Sequence, residues 1–176
     1  SSVAARAIHK YGKEIINDIS AGELDPLIVD VAAEHDVPYV AMHMKGDPRT
    51  MQSMTDYRDI VAEVVDYFRE RTAQLRERGV RRIVVDPGFG FAKTLEQNYE
   101  LLRGLHRLAE LGYPVLAGVS RKSMIYKLLG TTPAEALNGT TALHWECLRQ
   151  GAAILRVHDT REAVEVVRMF DQFMQA

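Results

Sequence analysis

Five short apolar runs in this chain each end in residues that can do chemistry. Asn17-Asp18 follow EII, His43 follows PYVAM, Asp86 follows RIVV, Ser120-Arg121-Lys122 follow PVLAGV, and Arg156-His158-Asp159 follow AAIL. The third is the most pointed, because the run continues as DPGFGFAK (Asp86 to Lys93). A carboxylate at a strand end can accept two parallel hydrogen bonds from a planar amidine-like edge, such as the N–H and exocyclic NH2 of a pterin or a guanine. Pro87 and the glycines would hold the loop close to such a ligand, and a Phe would cover an aromatic ring. Arg156 and His158 alternate with Val157, which places both on one face of a strand end, and two cationic donors there suit a phosphate or carboxylate.

Each group also has a plainer reading. Asn17-Asp18 could cap the next helix. A single histidine such as His43 is more often structural than a ligand. Arg121-Lys122 could be a solvated helix start, although positive charge at a helix N-terminus opposes the macrodipole and asks for an anion nearby. Arg156 and His158 could form an ion pair with Asp159 or a neighbouring acid.

Several other chemistries are excluded by spacing. GFGFAK is G-x-G-x-x-K and lacks the third glycine of a dinucleotide fingerprint, and no P-loop string occurs. GVSRK lacks the second glycine of a nucleophile elbow, so Ser120 reads as a loop residue. The six histidines show neither H-x-x-x-H nor H-E-x-x-H spacing and there is one cysteine, so the pattern points to no metal cluster.

The elements that position these groups follow from hydrophobic period. The five runs, rich in β-branched residues, are each followed by a helical pattern, and runs apolar on both faces fit parallel strands covered by helices. Pro38 and Pro114 stand at strand starts, where a missing N–H costs least. Asp25-Pro26 starts one helix; Thr94 to Gln97 is a capping box before the helical stretch NYELLRGLHRLAEL; Thr132 to Glu135 is another, with Pro at the first helical position. Gly79, Gly112 and Gly151 sit where C-terminal glycines belong. Between Asp56 and Arg78, Ile60, Val61, Val64, Val65 and Phe68 make one apolar face. The class is α/β, and five such units lean toward a (β/α)8 barrel over a doubly wound sheet, with three units absent. In a barrel all five polar ends lie on the rim that carries active sites.

The composition narrows the partners. The 176 residues are 47% hydrophobic with a net charge of −2 and interspersed signs, which suggests a single domain with neither a nucleic-acid surface nor a membrane-binding segment. No long apolar span or signal pattern is present, so a cytoplasmic protein is expected. Cys147, within ALHWECLRQG, reads as a buried inert thiol on an amphipathic helix.

The strings IINDI, MHMKGDPRTMQ, DPGFGFAKTLEQNYELL, GVSRKSMI and LRVHD, in this order and spacing over essentially the whole chain, resemble the dihydropteroate synthase family. The resemblance implies a (β/α)8 barrel that joins 6-hydroxymethyl-7,8-dihydropterin pyrophosphate to p-aminobenzoate, releasing pyrophosphate in folate synthesis. It implies that Asn17 and Asp86 read the pterin edge, that Met42 lines its pocket, and that Gly118 supplies backbone beside it. Lys122 would reach the pterin carbonyl. Arg156 and His158 would hold the departing pyrophosphate, and Phe91, Arg121 and Ser123 would surround p-aminobenzoate, where sulfonamides also bind in this family. Lys122, Asp86, Arg156 and His158 are thus the expected catalytic set.

Ala92 stands where many relatives carry Gly, a change expected to be tolerated. The family's upstream T-P-D-S-F and S-T-R-P-G motifs, which contribute magnesium and substrate contacts, do not occur in these residues. The chain is therefore expected to supply the last five βα units of a pterin-binding domain, to use Mg2+ through ligands outside residues 1–176, and to have little synthase activity alone. A homodimer through the C-terminal helices is also expected. Two other readings stay open: a related pterin-binding methyltransferase barrel, which has no need of the anion pocket or of SRKS, and a non-catalytic fragment that binds pterin or dimerises.

Overall fold

The computed structural model describes residues 1–12, 14–46 and 54–175. The second half of the MHMKGDPRTMQ string, residues 47–52, lies outside the described residues. After a leading helix α1 (Ser2–Tyr11), strand and helix alternate: β1 (Ile16–Asp18), α2 (Leu27–Glu34), β2 (Tyr39–Met42), α3 (Ile60–Glu77), β3 (Ile83–Asp86), α4 (Leu95–Arg103) and α5 (His106–Ala109). Then come β4 (Leu116–Ala117), α6 (Ser123–Leu129), α7 (Leu137–Arg149), β5 (Ile154–Leu155) and α8 (Thr160–Gln175).

All pairings among these strands are parallel. β1 pairs β2, β2 pairs β3, and β4 pairs β5, while a bridge between Val85 and Val115 joins β3 to β4. The order is therefore β1-β2-β3-β4-β5, an arc whose strand ends all face one rim, as expected for part of a (β/α)8 barrel. Both prolines stand just ahead of their strands and serve as acceptors: Pro38 takes the Ile16 N–H and Pro114 the Val85 N–H.

The helices and one face of the strands share a large apolar core, while Val40, Val84 and Leu116, which alternate with its strand residues, form a second, smaller cluster. Tyr39, Val85, Leu101, Leu105, Val119 and Cys147 are fully enclosed within the larger core. On α3 the buried face is Ile60, Val61, Val64, Val65 and Phe68, as the four-residue spacing predicts, and Asp59 caps the helix by accepting the Ala62 N–H. Burial pushes the Cys147 thiol up to about 12, which fits an inert thiol.

Two helical expectations need correcting. The stretch from Asn98 to Leu111 reads as one helix but breaks between α4 and α5. Gly104 sits at the break, and a Cβ there would lie 2.7 Å from both methyls of Val61, so α3 requires a glycine whose poor helix propensity ends the first segment. The capping box Thr132 to Glu135 is present, but it closes a 3-10 turn (Pro133–Glu135) ahead of α7 rather than the α-helix itself. The Thr94–Gln97 box does cap α4.

Candidate active site at the strand ends

The β2–β3 register sets Met42 beside Asp86, and both are enclosed, Asp86 with no exposed surface. A buried carboxylate persists only with partners. Asp86 Oδ1 accepts the Gly88 N–H at 2.8 Å, and Oδ2 accepts Nη1 of Arg156 at 2.9 Å. The same Nη1 lies 3.3 Å from Asn17 Oδ1. Three strand ends separated by up to 139 positions in sequence therefore meet on one guanidinium. Asp18, the neighbour of Asn17, instead closes a local turn, accepting from Ser20 and Gly22 N–H groups and from the Tyr39 hydroxyl.

The loop after β3 folds back over the end of β2. Gly88 and Gly90 have positive φ, and a Cβ at Gly88 would lie 2.1 Å from the His43 carbonyl oxygen, so the loop can reach this depth only without a side chain there. Gly90 donates to the side chain of buried Asn98 at 2.7 Å. Ala92 also has positive φ, at 51°, the left-handed region in which glycine is free of the strain that an alanine carries.

Two lysines enclose this loop. Lys122 Nζ donates to the Phe89 carbonyl and stands 4.8 Å from the centre of the Phe91 ring. Burial, partly offset by Asp86 and reinforced by Arg156, lowers its pKa to about 8. Lys93 is buried, with Nζ 3.0 Å from the Gly88 carbonyl, 2.8 Å from the Phe91 carbonyl and 3.2 Å from His43 Nδ1. Burial lowers its pKa to about 7, with Asp86 opposing and Lys122 and Lys45 adding to the shift. His43 is held well below the usual imidazole range, by burial first and then by Lys93 and Lys45, so it is neutral.

The remaining predicted residues divide into those near this loop and those set to one side. Gly118, at the end of β4, makes room for Arg156, since a Cβ there would stand 2.6 Å from Nη2. His158 rests on Ser120: its N–H donates to Oγ at 3.2 Å and Nδ1 lies 3.0 Å from the same oxygen. Arg121, at φ 52°, turns its guanidinium onto Asp159 in a bidentate pair at 2.8 Å and onto the Pro133 and Ala134 carbonyls. Ser123 begins α6 and is half-buried. The structure thus gathers Asn17, Met42, Asp86, Phe91, Gly118, Lys122 and Arg156, whereas Arg121 is committed to Asp159.

The sequence reading paired Arg156 with His158; the structure sets Arg156 on Asp86 and His158 on Ser120. It also missed three contributors. Lys93 and Asn98 carry no reading of their own in the sequence, and Ser120, one of the polar strand ends, reads as a loop residue.

Among the described residues no three His, Cys, Asp or Glu side chains come together to hold a metal ion. The 650 Å3 groove lined by Leu148, Leu155, Val157, Val164 and Phe170 lies between β5, α7 and α8, on the opposite side of β5 from Arg156 and His158, and is not the site of this chemistry.

Comparison with known proteins identifies the family. The profile of the family described as pterin binding enzyme matches residues 1–158. The chain is 42% identical over 170 residues to a dihydropteroate synthase from a Synechocystis species, covering 95% of this chain and 59% of that protein. The dihydropteroate synthase of Thermus thermophilus, solved in complex with 6HMPPP, superposes with a TM-score of 0.91 at 41% identity, covering 97% of this chain and 68% of that one. The Yersinia pestis enzyme, solved as a sulfonamide drug complex, gives a TM-score of 0.94 at 34% identity, covering 99% and 64%. The chain spans about three fifths of the length of the curated relatives it matches. With a family profile over most of its length and a five-strand arc that ends in the Asn17, Asp86 and Arg156 cluster, the chain belongs to the pterin binding enzymes, in their dihydropteroate synthase branch.

Proposed function

We propose that this chain carries the pterin-binding part of a dihydropteroate synthase, which condenses 6-hydroxymethyl-7,8-dihydropterin pyrophosphate with p-aminobenzoate. The observation that carries this reading is Asp86, a fully buried carboxylate at a strand end whose partners are a backbone N–H and one guanidinium N–H of Arg156. A guanidinium presents the same planar array of N–H groups as the amino-pyrimidine edge of a pterin. Arg156 therefore occupies the acceptor that the pterin would use, with Asn17 alongside and Met42 beneath.

In this reading the pterin displaces Arg156 from Asp86, and the freed guanidinium, with His158, meets the pyrophosphate. The C–O bond to pyrophosphate breaks, assisted by these cations, and the flat, desolvated pterin carries the positive charge that develops on its methylene. The neutral aryl amine then forms the C–N bond and loses a proton, a step that needs positioning more than a strong base. Lys122 reaches the pterin carbonyl, and the Phe91 ring borders the p-aminobenzoate, as do Ser123 and the backbone at Arg121. The requirement for Arg156, His158 and Lys122 favours this reading over a methyltransferase barrel.

Magnesium would neutralise the pyrophosphate, with ligands from outside residues 1–176. Homodimerisation through α7 and α8, supported by exposed Met169, Phe173 and Met174, and a cytoplasmic location belong to the same reading. No helix among the described residues is long and apolar enough to cross a membrane. The test is a calorimetric titration with a non-reacting dihydropterin pyrophosphate analogue. Asp86→Asn keeps an acceptor for Gly88 but loses the charge and one of the two paired acceptors, so binding should weaken about hundredfold. Equal binding by the variant would refute the assignment.

A further inference from the structure

We infer that Lys93 is a positioning residue of this site: its ammonium ties the Gly88–Phe91 loop to β2 and thereby sets where Asp86 and Phe91 meet the ligand. This inference rests on the pterin reading above. A lysine that followed a glycine loop would ordinarily extend into water, where its charge is hydrated and its entropy retained. Here the residue is 7% exposed and its nitrogen has three neighbours within hydrogen-bond distance: the Gly88 carbonyl, the Phe91 carbonyl and His43 Nδ1. An ammonium has three N–H donors and no acceptor, so the three neighbours match its full capacity. With all three donated, His43 Nδ1 must accept, which leaves the imidazole proton on Nε2.

The contacts fall at the two ends of the loop. Gly88 is the residue whose N–H holds Asp86 Oδ1, and Phe91 is the residue whose ring lies against Lys122. The same Gly88 carbonyl also accepts the Phe91 N–H at 3.1 Å, and Asn98 anchors Gly90 between them. Without the ammonium, two carbonyls lose charged donors in a water-poor interior, and the loop must open to find replacements. The third anchor, His43, sits at the end of β2 with its carbonyl packed against Gly88, so Lys93 fastens the loop to the strand as well as to itself.

The charged groups that face Lys93 are Asp86, which favours its protonation, and Lys122 and Lys45, which oppose it; His43 is neutral. Because burial brings the Lys93 pKa down to about 7, the tie should be complete in mildly acid solution and should weaken as pH rises. A neutral amine has two donors, and one of the three contacts must then reverse or lapse.

The experiment compares wild type with Lys93→Met by calorimetric titration with the dihydropterin pyrophosphate analogue, from about pH 6 to pH 8. Folding of the variant is checked by circular dichroism. At the acid end, Lys93→Met should bind at least about tenfold more weakly, the size expected from losing a hydrogen bond to a charged group. The ratio of the two affinities should shrink as pH rises, because wild type then gives up its own ammonium; titration of the ligand is common to both proteins and cancels, while Lys122, whose charge and that of Lys93 oppose each other, keeps its proton to higher pH in the variant and shrinks the ratio further. A folded variant that binds as tightly as wild type, or a ratio that does not change with pH, overturns the inference and leaves the pterin reading standing. If Lys93→Met does not fold, Lys93→Gln, which keeps two donors, replaces it. If neither folds, a Lys93 ammonium in the wild type that exchanges its protons with water as freely as an exposed lysine, read by NMR, overturns it. Wild type that binds no analogue at any pH removes the pterin reading and this inference together.

Discussion

At the scale of single residues, the site is a cluster of charges taken out of water, and its protonation must leave a mark on stability. Lys93 and Lys122 have pKa values lowered to about 7 and about 8, with burial as the largest cause. Between those values and the ordinary lysine value of about 10.4, the unfolded chain binds protons that the folded chain does not, so stability rises with pH. The penalty is complete below about pH 7 and is relieved above it. Groups with raised pKa act the other way at higher pH: the Cys147 thiol, at about 12, and the buried Tyr39 and Tyr67 hydroxyls, both pushed up by burial. The urea midpoint of the wild type should therefore climb from pH 7 to pH 9, and Lys93→Met should show a smaller climb. A wild-type midpoint that falls over this window would contradict the buried-ammonium description.

At the scale of elements, glycines in the loop after β3 and at the end of β4 decide whether the rim can close around its polar groups. The two closest approaches differ in kind. At Gly88 an added methyl meets the His43 backbone carbonyl at 2.1 Å with φ at 69°, so neither partner can yield cheaply. At Gly118 an added methyl meets the far end of the Arg156 side chain, which can move. Gly88→Ala should lower unfolding free energy by more than about 2 kcal/mol, combining left-handed strain with the clash. Gly118→Ala carries no left-handed strain, but moving the guanidinium strips buried Asp86 of its cation, so it should cost about 1–3 kcal/mol of stability, and it should weaken pterin binding because the methyl crowds the pocket. Chemical denaturation together with calorimetry separates the two outcomes.

Much at this scale was legible in the sequence: the β-branched runs, the Thr94 capping box and the α3 face all formed where their periods placed them. The break at Gly104 was not, because its cause is a Val61 contact from another helix. Nor was the Arg156 contact with Asp86, since residues 70 positions apart share no local pattern. Lys93 was hidden for a different reason: the sequence shows a cation, and only the folded loop shows that its charge is enclosed.

At the scale of the whole molecule, the same parallel arc that focuses the polar ends also leaves apolar surface on the outside. Among the described residues β5 pairs only with β4, and Ile154 is 39% exposed. On the outer layer α8 turns Ala163 and Val166 inward, and Trp145 of α7 meets Phe170 and Phe173 edge-on at 5.3 and 5.6 Å. Met169, Phe173 and Met174 nevertheless remain about two-thirds exposed, an apolar patch on one helix next to the Trp145 cluster. A patch of this kind favours burial against a partner, and the self-complementary arrangement of a two-fold dimer meets that need with one surface. Wild type should therefore sediment as a dimer at micromolar concentration. Met169→Lys combined with Met174→Lys should shift it toward monomer without altering circular dichroism, because both side chains stand clear of the α7–α8 core. Affinity for the pterin analogue should be unchanged in the double variant, since the Asn17, Asp86 and Arg156 cluster is built from strands within one chain. A wild type that is monomeric throughout, or a double variant that remains dimeric, would move the association surface away from the Met169, Phe173 and Met174 patch and leave the 650 Å3 groove between β5, α7 and the other face of α8 as the next apolar face to test.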